Sequence, residues 1–362
     1  MKNRDEIQKK ALDLLIDKER AGVGITMGGG KTLIGLKHMA HFYSPRAKFL
    51  VVAPKKTIFT EWTSQAEKYD LEHLLGSIDF TTYLSLPKQS FEYDVVYLDE
   101  CHSLLNTHMH WLSNYKGRIV GLTGTPPRYD SSEKGVMVNM FCPIVYEYKT
   151  DKAVEDKILN DYNIIVHMLP MDALKTMKME KNGKHWYTSE QNTYAYWTER
   201  LENARKGKEM QIMRVMRMKA IMSFPSKEKL AKTLLNRISE KVILFANTQE
   251  QADRLCKHSY HSKNPNSEES LKDFKSGKIT KLSAVLQLNE GVNIPNLKQG
   301  IIMHAYGNER KASQRIGRLL RLNPTETSTV HILCYKDTVD EVWVKQSLED
   351  FDSSKITYTE DY

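Results

Sequence analysis

The sequence predicts an α/β protein built as two parallel-sheet lobes in tandem, with a helical insert in the middle. Three observations carry this. Short apolar runs at 22–27, 48–53, 95–98 and 118–122 alternate with helical patterns through the first 150 residues, and such strands bury themselves as a parallel sheet under helices. The same alternation returns late, with strand patterns at 242–246, 282–288, 301–304 and 329–334 and helical ones at 249–258 and 311–321. Between them, 171–219 is helical in pattern and polar, with eleven Lys and Arg against six Asp and Glu. The expected boundaries are lobe one at 1–148 and lobe two at 149–362, the latter holding the insert at about 171–224. Phe224-Pro225-Ser226 closes the insert, because a residue before proline is driven out of the helical region.

Composition narrows the class. A chain of 362 residues, 40% hydrophobic and 27% charged, can bury two cores and is neither disordered nor low-complexity. Its net charge of +8, five of it in the insert, favours a polyanionic partner. No run of 18 apolar residues occurs and the first residues are polar, so neither a membrane span nor a secretory leader is expected. Cys101, Cys142, Cys256 and Cys334 lie far apart, with no ligand-like histidine spacing. Neither zinc nor a disulfide framework is expected, which fits a reducing compartment.

Taken in order, Ile7, Ala11, Leu14 and Leu15 recur at helical spacing and predict an amphipathic first helix. The strand at 22–27 runs into Thr26-Met27-Gly28-Gly29-Gly30-Lys31-Thr32, which opens the second helix. Glycines let backbone N–H groups cradle phosphates and the helix N-terminus adds a favourable dipole. Lys31 is then placed to reach β- and γ-phosphates, and Thr32 to ligate Mg²⁺. The strict G-x-x-x-x-G-K-[ST] pattern wants glycine at position 25, where this chain has Ile25. A helical pattern at 57–69 follows. The apolar strand Val95-Val96-Tyr97-Leu98 then ends in Asp99-Glu100-Cys101-His102. In series with a phosphate loop, Asp99 would hold Mg²⁺ through water and Glu100 would polarise the attacking water. In the late helix, Gln314, Arg318 and Arg321 sit at i, i+4 and i+7 and share one face.

With these residues assembled, the chain resembles the superfamily 2 helicases and translocases. Asp99-Glu100-Cys101-His102 is a DExH box, and Leu122-Thr123-Gly124-Thr125-Pro126-Pro127 is similar to motif III. Asn289-Glu290-Gly291-Val292-Asn293-Ile294-Pro295 is similar to motif V, and Gln314 to Arg321 to motif VI. The resemblance implies two RecA-like lobes with an ATP cleft between them, and Arg318 and Arg321 as arginine fingers with Gln314 beside them. It implies nucleotide contacts from Arg4, Gln8, Met27, Gly28, Gly29, Gly30 and Asn293, and coupling of nucleotide state to track through His102, Thr123, Gly124 and Thr125. Along the nucleic-acid track it implies Pro54, Lys55, Lys56 and Thr57, then Thr82 and Tyr83, then Thr248 and Asn289.

The activity implied is an ATP- and Mg²⁺-dependent DNA helicase or translocase of the Swi/Snf-like or phage and restriction-motor branch. Its compact size is similar to that of phage-encoded DNA helicases. It is expected to work in the cytoplasm as a monomer that joins replication or recombination partners. The alternatives are an RNA-dependent unwinding ATPase, a duplex-DNA translocase that separates no strands, and a non-catalytic ATP-switched clamp. Two readings stay open for the insert. It is a nucleic-acid arm in which Trp186 or Trp197 stacks on bases, or a packed helical element whose Lys206, Lys208, Arg214 and Arg217 alone face phosphate.

Overall fold

The computed structural model describes residues 4–26, 28–127, 129–285, 294, 297–305, 327–349 and 351–361. They form two compact units that divide between Asp161 and Tyr162. In the first, strands β1 (Arg20–Ile25), β2 (Phe49–Ala53), β3 (Ile78–Thr82), β4 (Val95–Asp99), β5 (Arg118–Thr123) and β6 (Ile144–Tyr148) form one sheet in the order β3-β2-β4-β5-β1-β6. Every pairing in it is parallel. The helices are α1 (Arg4–Ile16), α2 (Lys31–Phe42), α3 (Phe59–Lys68), α4 (Met109–Asn114), α5 (Glu133–Phe141) and α6 (Thr150–Glu155).

Strand alternation explains why both faces are covered. Phe49, Val51, Ala53, Val95, Tyr97, Val120 and Leu122 join one apolar cluster with Ile7, Ala11, Leu15, Ile34 and Trp62 from α1, α2 and α3. Their neighbours Leu50, Val52, Val96, Leu98 and Ile119 point the other way, into a cluster with Trp111 and Phe141. Beyond Tyr148 the chain turns back through α6, and Ala153, Ile158 and Leu159 bury themselves in the first cluster. The first unit therefore runs on to Asp161.

The second unit carries a seven-stranded sheet in the order β11-β12-β10-β13-β14-β7-β15. Its strands are β7 (Asp161–Leu169), β10 (Val242–Phe245), β11 (Ser259–Tyr260), β12 (Lys281–Ala284), β13 (Gln299–Ile302), β14 (Thr327–Tyr335) and β15 (Ile356–Thr359). Helices α7 (Glu190–Glu202), α8 (Lys208–Ser223), α9 (Pro225–Arg237), α10 (Gln249–Leu255), α11 (Ser267–Ser276) and α12 (Val339–Leu348) accompany it. Phe224 between α8 and α9 is extended, with φ −68° and ψ 135°, and Pro225 begins α9.

The middle is not helical throughout, as its polarity and spacing suggest. It opens with an antiparallel hairpin, β8 (Met177–Lys181) and β9 (Lys184–Thr188), before α7 and α8. The turn residues Asn182 and Gly183 have φ 51° and 74°, the pair of positive values that a two-residue hairpin turn requires. Glu190 ties the start of α7 to the lobe, accepting from Asp172 N at 2.9 Å, Ser226 N at 2.8 Å and Ser226 Oγ at 2.8 Å. Deeper in, the fully buried Lys227 pairs with Asp340 and donates to Met303 O at 3.2 Å. Among the described residues no helix is long and apolar enough to cross a membrane.

Candidate active site

The ends of β1 and β4 place the glycine loop and the acidic pair in the same unit. Gly28 and Gly30 have φ 82° and 91°, values that side chains bearing a Cβ adopt with strain. Gly29 N donates to Thr26 O at 3.1 Å, and Ile34 N to Gly30 O at 3.0 Å starts α2. No side chain caps that helix, so its first N–H groups remain for an anion. A Cβ on Gly29 would lie 2.4 Å from Ile25 Cγ2, and one on Gly30 would lie 2.2 Å from Gln8 Nε2. Ile25 thus occupies the space that makes glycine obligatory at 29.

Gln8, presented by α1, is buried against the loop. Its Nε2 donates to Gly29 O at 3.1 Å and its Oε1 accepts from Lys37 Nζ at 3.4 Å. Arg4, one turn earlier, brings Nη2 within 3.1 Å of the same Cβ position on Gly30. The structure therefore sets Arg4 and Gln8 beside the loop, with the Gln8 amide bracing it. Thr26 Oγ1 meets Thr150 Oγ1 at 2.8 Å, tying the loop's start to α6.

Facing the loop, Lys31 Nζ lies 3.6 Å from Glu100 Oε1. Asp99 is held from two sides: Trp62 Nε1 donates to its Oδ2 at 2.8 Å and Glu100 N to its Oδ1 at 2.9 Å. Burial and the neighbouring Glu100 push the Asp99 carboxyl up to about 7. Burial acts on Glu100 in the same direction, but Lys31, His102 and the Gly124 N–H together pull it below the ordinary value. Two adjacent carboxyls with opposite tendencies suit opposite roles. Lys31 and the Trp62 N–H offset only part of the burial at Asp99, whereas Glu100 is held in its ionised form.

The motif around residues 123–125 closes on the same carboxylate. Glu100 Oε2 lies 3.3 Å from His102 Nδ1 and accepts from Gly124 N at 3.4 Å. His102 Nδ1 also meets Thr123 Oγ1 at 2.8 Å and Thr125 Oγ1 at 3.4 Å. Glu100 itself has φ 50°, a left-handed conformation that turns the chain sharply after β4. For a Mg²⁺ ion the donor set fits. The buried Asp99 carboxylate and the Thr32 hydroxyl at the start of α2 are the hard oxygen ligands such a cation takes.

The remaining expected positions fall elsewhere. Pro54, Lys55, Lys56 and Thr57 follow β2, the last three exposed. Thr82 ends β3, half-buried. Tyr83 departs from expectation: its side chain is buried and its hydroxyl donates to Asp99 O at 3.0 Å, so it braces β4 and presents no ring to a polynucleotide. Thr248 is exposed at the start of α10 and its Oγ1 accepts from Gln251 N at 3.1 Å. Met27, Asn289, Asn293, Gln314, Arg318 and Arg321 lie outside the described residues. Trp62 and Tyr83 are the site's structural holders that sequence reading misses. Nothing in an amphipathic helix or a strand end marks an aromatic as a hydrogen-bond donor to the Asp99 carboxyl, as Trp62 is, or to its backbone carbonyl, as Tyr83 is.

A phosphate loop and an acidic strand end on a parallel sheet, with a second such sheet behind it in sequence, define a nucleotide-hydrolysing motor of the two-lobed kind. The helicase conserved C-terminal domain family matches residues 226–323, and the type III restriction enzyme res subunit family matches residues 2–81. The DNA 3′-5′ translocase XPB2 of Sulfurisphaera tokodaii is 26% identical over 370 residues, spanning 92% of this chain and 82% of that one. Among solved structures, the ATP-dependent Type ISP restriction-modification enzyme LlaBIII bound to DNA matches 99% of this chain at TM-score 0.63 and 13% identity. The chain spans only 31% of that enzyme's length. The Pyrococcus furiosus Hef helicase domain matches 96% of this chain and 99% of its own at TM-score 0.51 and 16% identity. These structural likenesses carry the fold. The two family matches and the likeness to XPB2 together support a superfamily 2 helicase or translocase, a class of nucleic-acid-dependent ATPases.

Proposed function

We propose that this chain is an ATP- and Mg²⁺-dependent DNA motor that couples hydrolysis to movement along DNA. The observation that carries it is the meeting of Lys31, Asp99 and Glu100 in one unit, with Lys31 and Glu100 3.6 Å apart. Backbone N–H groups of 28–32 and Lys31 bind the β- and γ-phosphates. Thr32 and Asp99 hold Mg²⁺, which neutralises charge on the phosphoryl oxygens. Glu100, kept ionised by Lys31 and His102, orients the attacking water and accepts its proton. Gln8 and Arg4 brace the loop and border the adenine. Arg318 and Arg321 supply the positive charge that the transferring phosphoryl group requires, with the neutral Gln314 amide as a hydrogen-bonding contact beside them and Asn293 a further nucleotide contact.

His102 and the backbone at Gly124 touch the same Glu100 oxygen. A shift of the 123–125 loop on strand binding therefore re-aims the catalytic carboxylate, which is the coupling step. Backbone and lysines at 54–57, with Thr82, Thr248 and Asn289, grip the track. DNA is favoured over RNA because the XPB2 relative is a DNA 3′-5′ translocase and the LlaBIII structure is bound to DNA.

The test is the steady-state ATPase rate with no polymer, single-stranded DNA, duplex DNA and RNA, beside Lys31→Ala and Glu100→Gln. Stimulation by DNA, lost in both variants, is the expected result. Stimulation by RNA alone would move the reading to an RNA motor, and absence of hydrolysis throughout would overturn it.

A further inference from the structure

We propose that the β8–β9 hairpin is a single-strand-binding element that stacks bases on Trp186 and Tyr187 and pairs phosphates with Lys178 and Lys184. The inference rests on the DNA-motor reading above and names the part of the insert that meets the strand.

Two strands alone do not make a stable sheet, and this ribbon is anchored at its base. Met177 packs against the apolar cluster of the second unit, while the Asn182–Gly183 turn forms the far end. Beyond the base its side chains find no core. Trp186 is 44% exposed and Tyr187 62% exposed. Tyr194 and Trp197 of the same segment pack against the cluster that holds Met177, and the half-exposed Tyr196 meets Trp197 edge-on with Arg200 over its ring. The two exposed rings are therefore surplus to packing.

Their placement is orderly. Adjacent residues on a strand point to opposite faces, so the ribbon offers one ring on each broad side. Tyr187 stands directly opposite Lys178 in the strand register. Lys184 is two residues from Trp186 and shares its side. Each side thus carries an exposed large aromatic ring and at least one lysine. The ribbon's acid, Glu180, stands opposite His185, with Oε2 3.4 Å from Nδ1. Neither Lys178 nor Lys184 has an acidic partner among the described residues. A single-stranded polynucleotide supplies what both sides lack, because its unpaired bases have flat faces and its phosphates recur beside them. An acidic peptide would satisfy the lysines and leave the rings exposed.

The test is direct binding of labelled oligo-dT, followed by fluorescence anisotropy across a salt series, with the full chain. Trp186→Ala/Tyr187→Ala is expected to lose about tenfold or more in affinity, and Trp186→Phe/Tyr187→Phe to keep most of it. Lys178→Gln/Lys184→Gln is expected to lower the slope of log affinity against log salt by about 1.4. All these positions are exposed, so the thermal midpoints should match the wild type. Wild-type affinity and slope in the variants overturn the proposal, as does a loss that the phenylalanine pair fails to restore. If oligo-dT stimulates the wild-type ATPase while the variants bind normally, the hairpin assignment alone falls. If no polynucleotide stimulates it, the motor reading falls as well.

Discussion

Trp62 and Asp99 are joined by a buried hydrogen bond: the indole Nε1 of α3 donates to the Oδ2 at the end of β4 at 2.8 Å. The indole also fills the space beside Gly35 of α2, where a Cβ would sit 2.5 Å from its Cη2. One side chain therefore spaces α3 from the helix that follows the phosphate loop and fixes the rotamer of the proposed Mg²⁺ ligand. Trp62→Phe keeps most of the apolar contact and removes the donor. A hydrogen bond to a charged group contributes about 1.5–3 kcal/mol. The Mg²⁺ concentration for half-maximal ATPase should accordingly rise about tenfold, with ATP affinity little changed. A Mg²⁺ titration of the variant checks this, and an unshifted midpoint would show that Asp99 needs no such holder.

The Lys31–Glu100 pair leads to a second prediction. Both side chains are largely buried and lie 3.6 Å apart, so without nucleotide each partly neutralises the other. Glu100→Gln frees Lys31 for phosphate and removes the base. Nucleotide affinity should hold or improve while turnover falls about a hundredfold or more. Lys31→Ala should weaken nucleotide binding, and the two changes together should be non-additive because the residues are in contact. Calorimetric titration with a non-hydrolysable nucleotide, beside steady-state rates, separates the two effects.

Acid stability of the first unit should depend on His38. Its ring is buried, with Nδ1 2.8 Å from the Tyr97 hydroxyl. Burial first, then Arg118 and His41, lowers its value from 6.5 to about 4. The unfolded chain binds this proton at higher pH than the folded chain. Stability is therefore complete above about 6.5 and is lost as pH falls towards 4. The full loss is about 3 kcal/mol, at about 1.4 kcal/mol per unit. His38→Gln removes the titration, so its urea midpoint should fall less steeply over that window than the wild type's. Parallel curves would assign the acid lability elsewhere.

The parallel lobes and the candidate nucleotide site were legible for the same reason. A buried parallel strand is a short apolar run, and phosphate chemistry needs glycine, lysine and acid at strand ends, as at 28–32 and 99–100. Side chains whose work is decided by tertiary packing were not legible. Tyr83 reads as a loop aromatic but reaches inward to Asp99 O. Trp62 reads as one more apolar residue of an amphipathic helix. At 177–188 the Met-Lys-Met-Glu-Lys run satisfies a helical polar pattern and a strand alternation equally. The Asn182-Gly183 turn between two such runs decides for the hairpin, with both φ values positive.

Ile25 stands where the strict phosphate-loop pattern has glycine, and its Cγ2 lies 2.4 Å from where a Gly29 Cβ would be. The two positions are therefore coupled by volume. Gly29→Ala should destabilise by about 1–3 kcal/mol through overpacking. In an Ile25→Ala background, which itself loses about 2–5 kcal/mol of buried contact, the same change should be nearly neutral. Gly30 behaves differently, because its φ of 91° strains any side chain even after Gln8 is moved aside. Gln8→Ala should then leave Gly30→Ala defective in both melting temperature and nucleotide binding. A double-mutant cycle on each pair distinguishes the cases. Coupling at 25/29 with none at 8/30 marks the first glycine as a packing requirement and the second as a backbone one. Equal behaviour of the two pairs would refute that division.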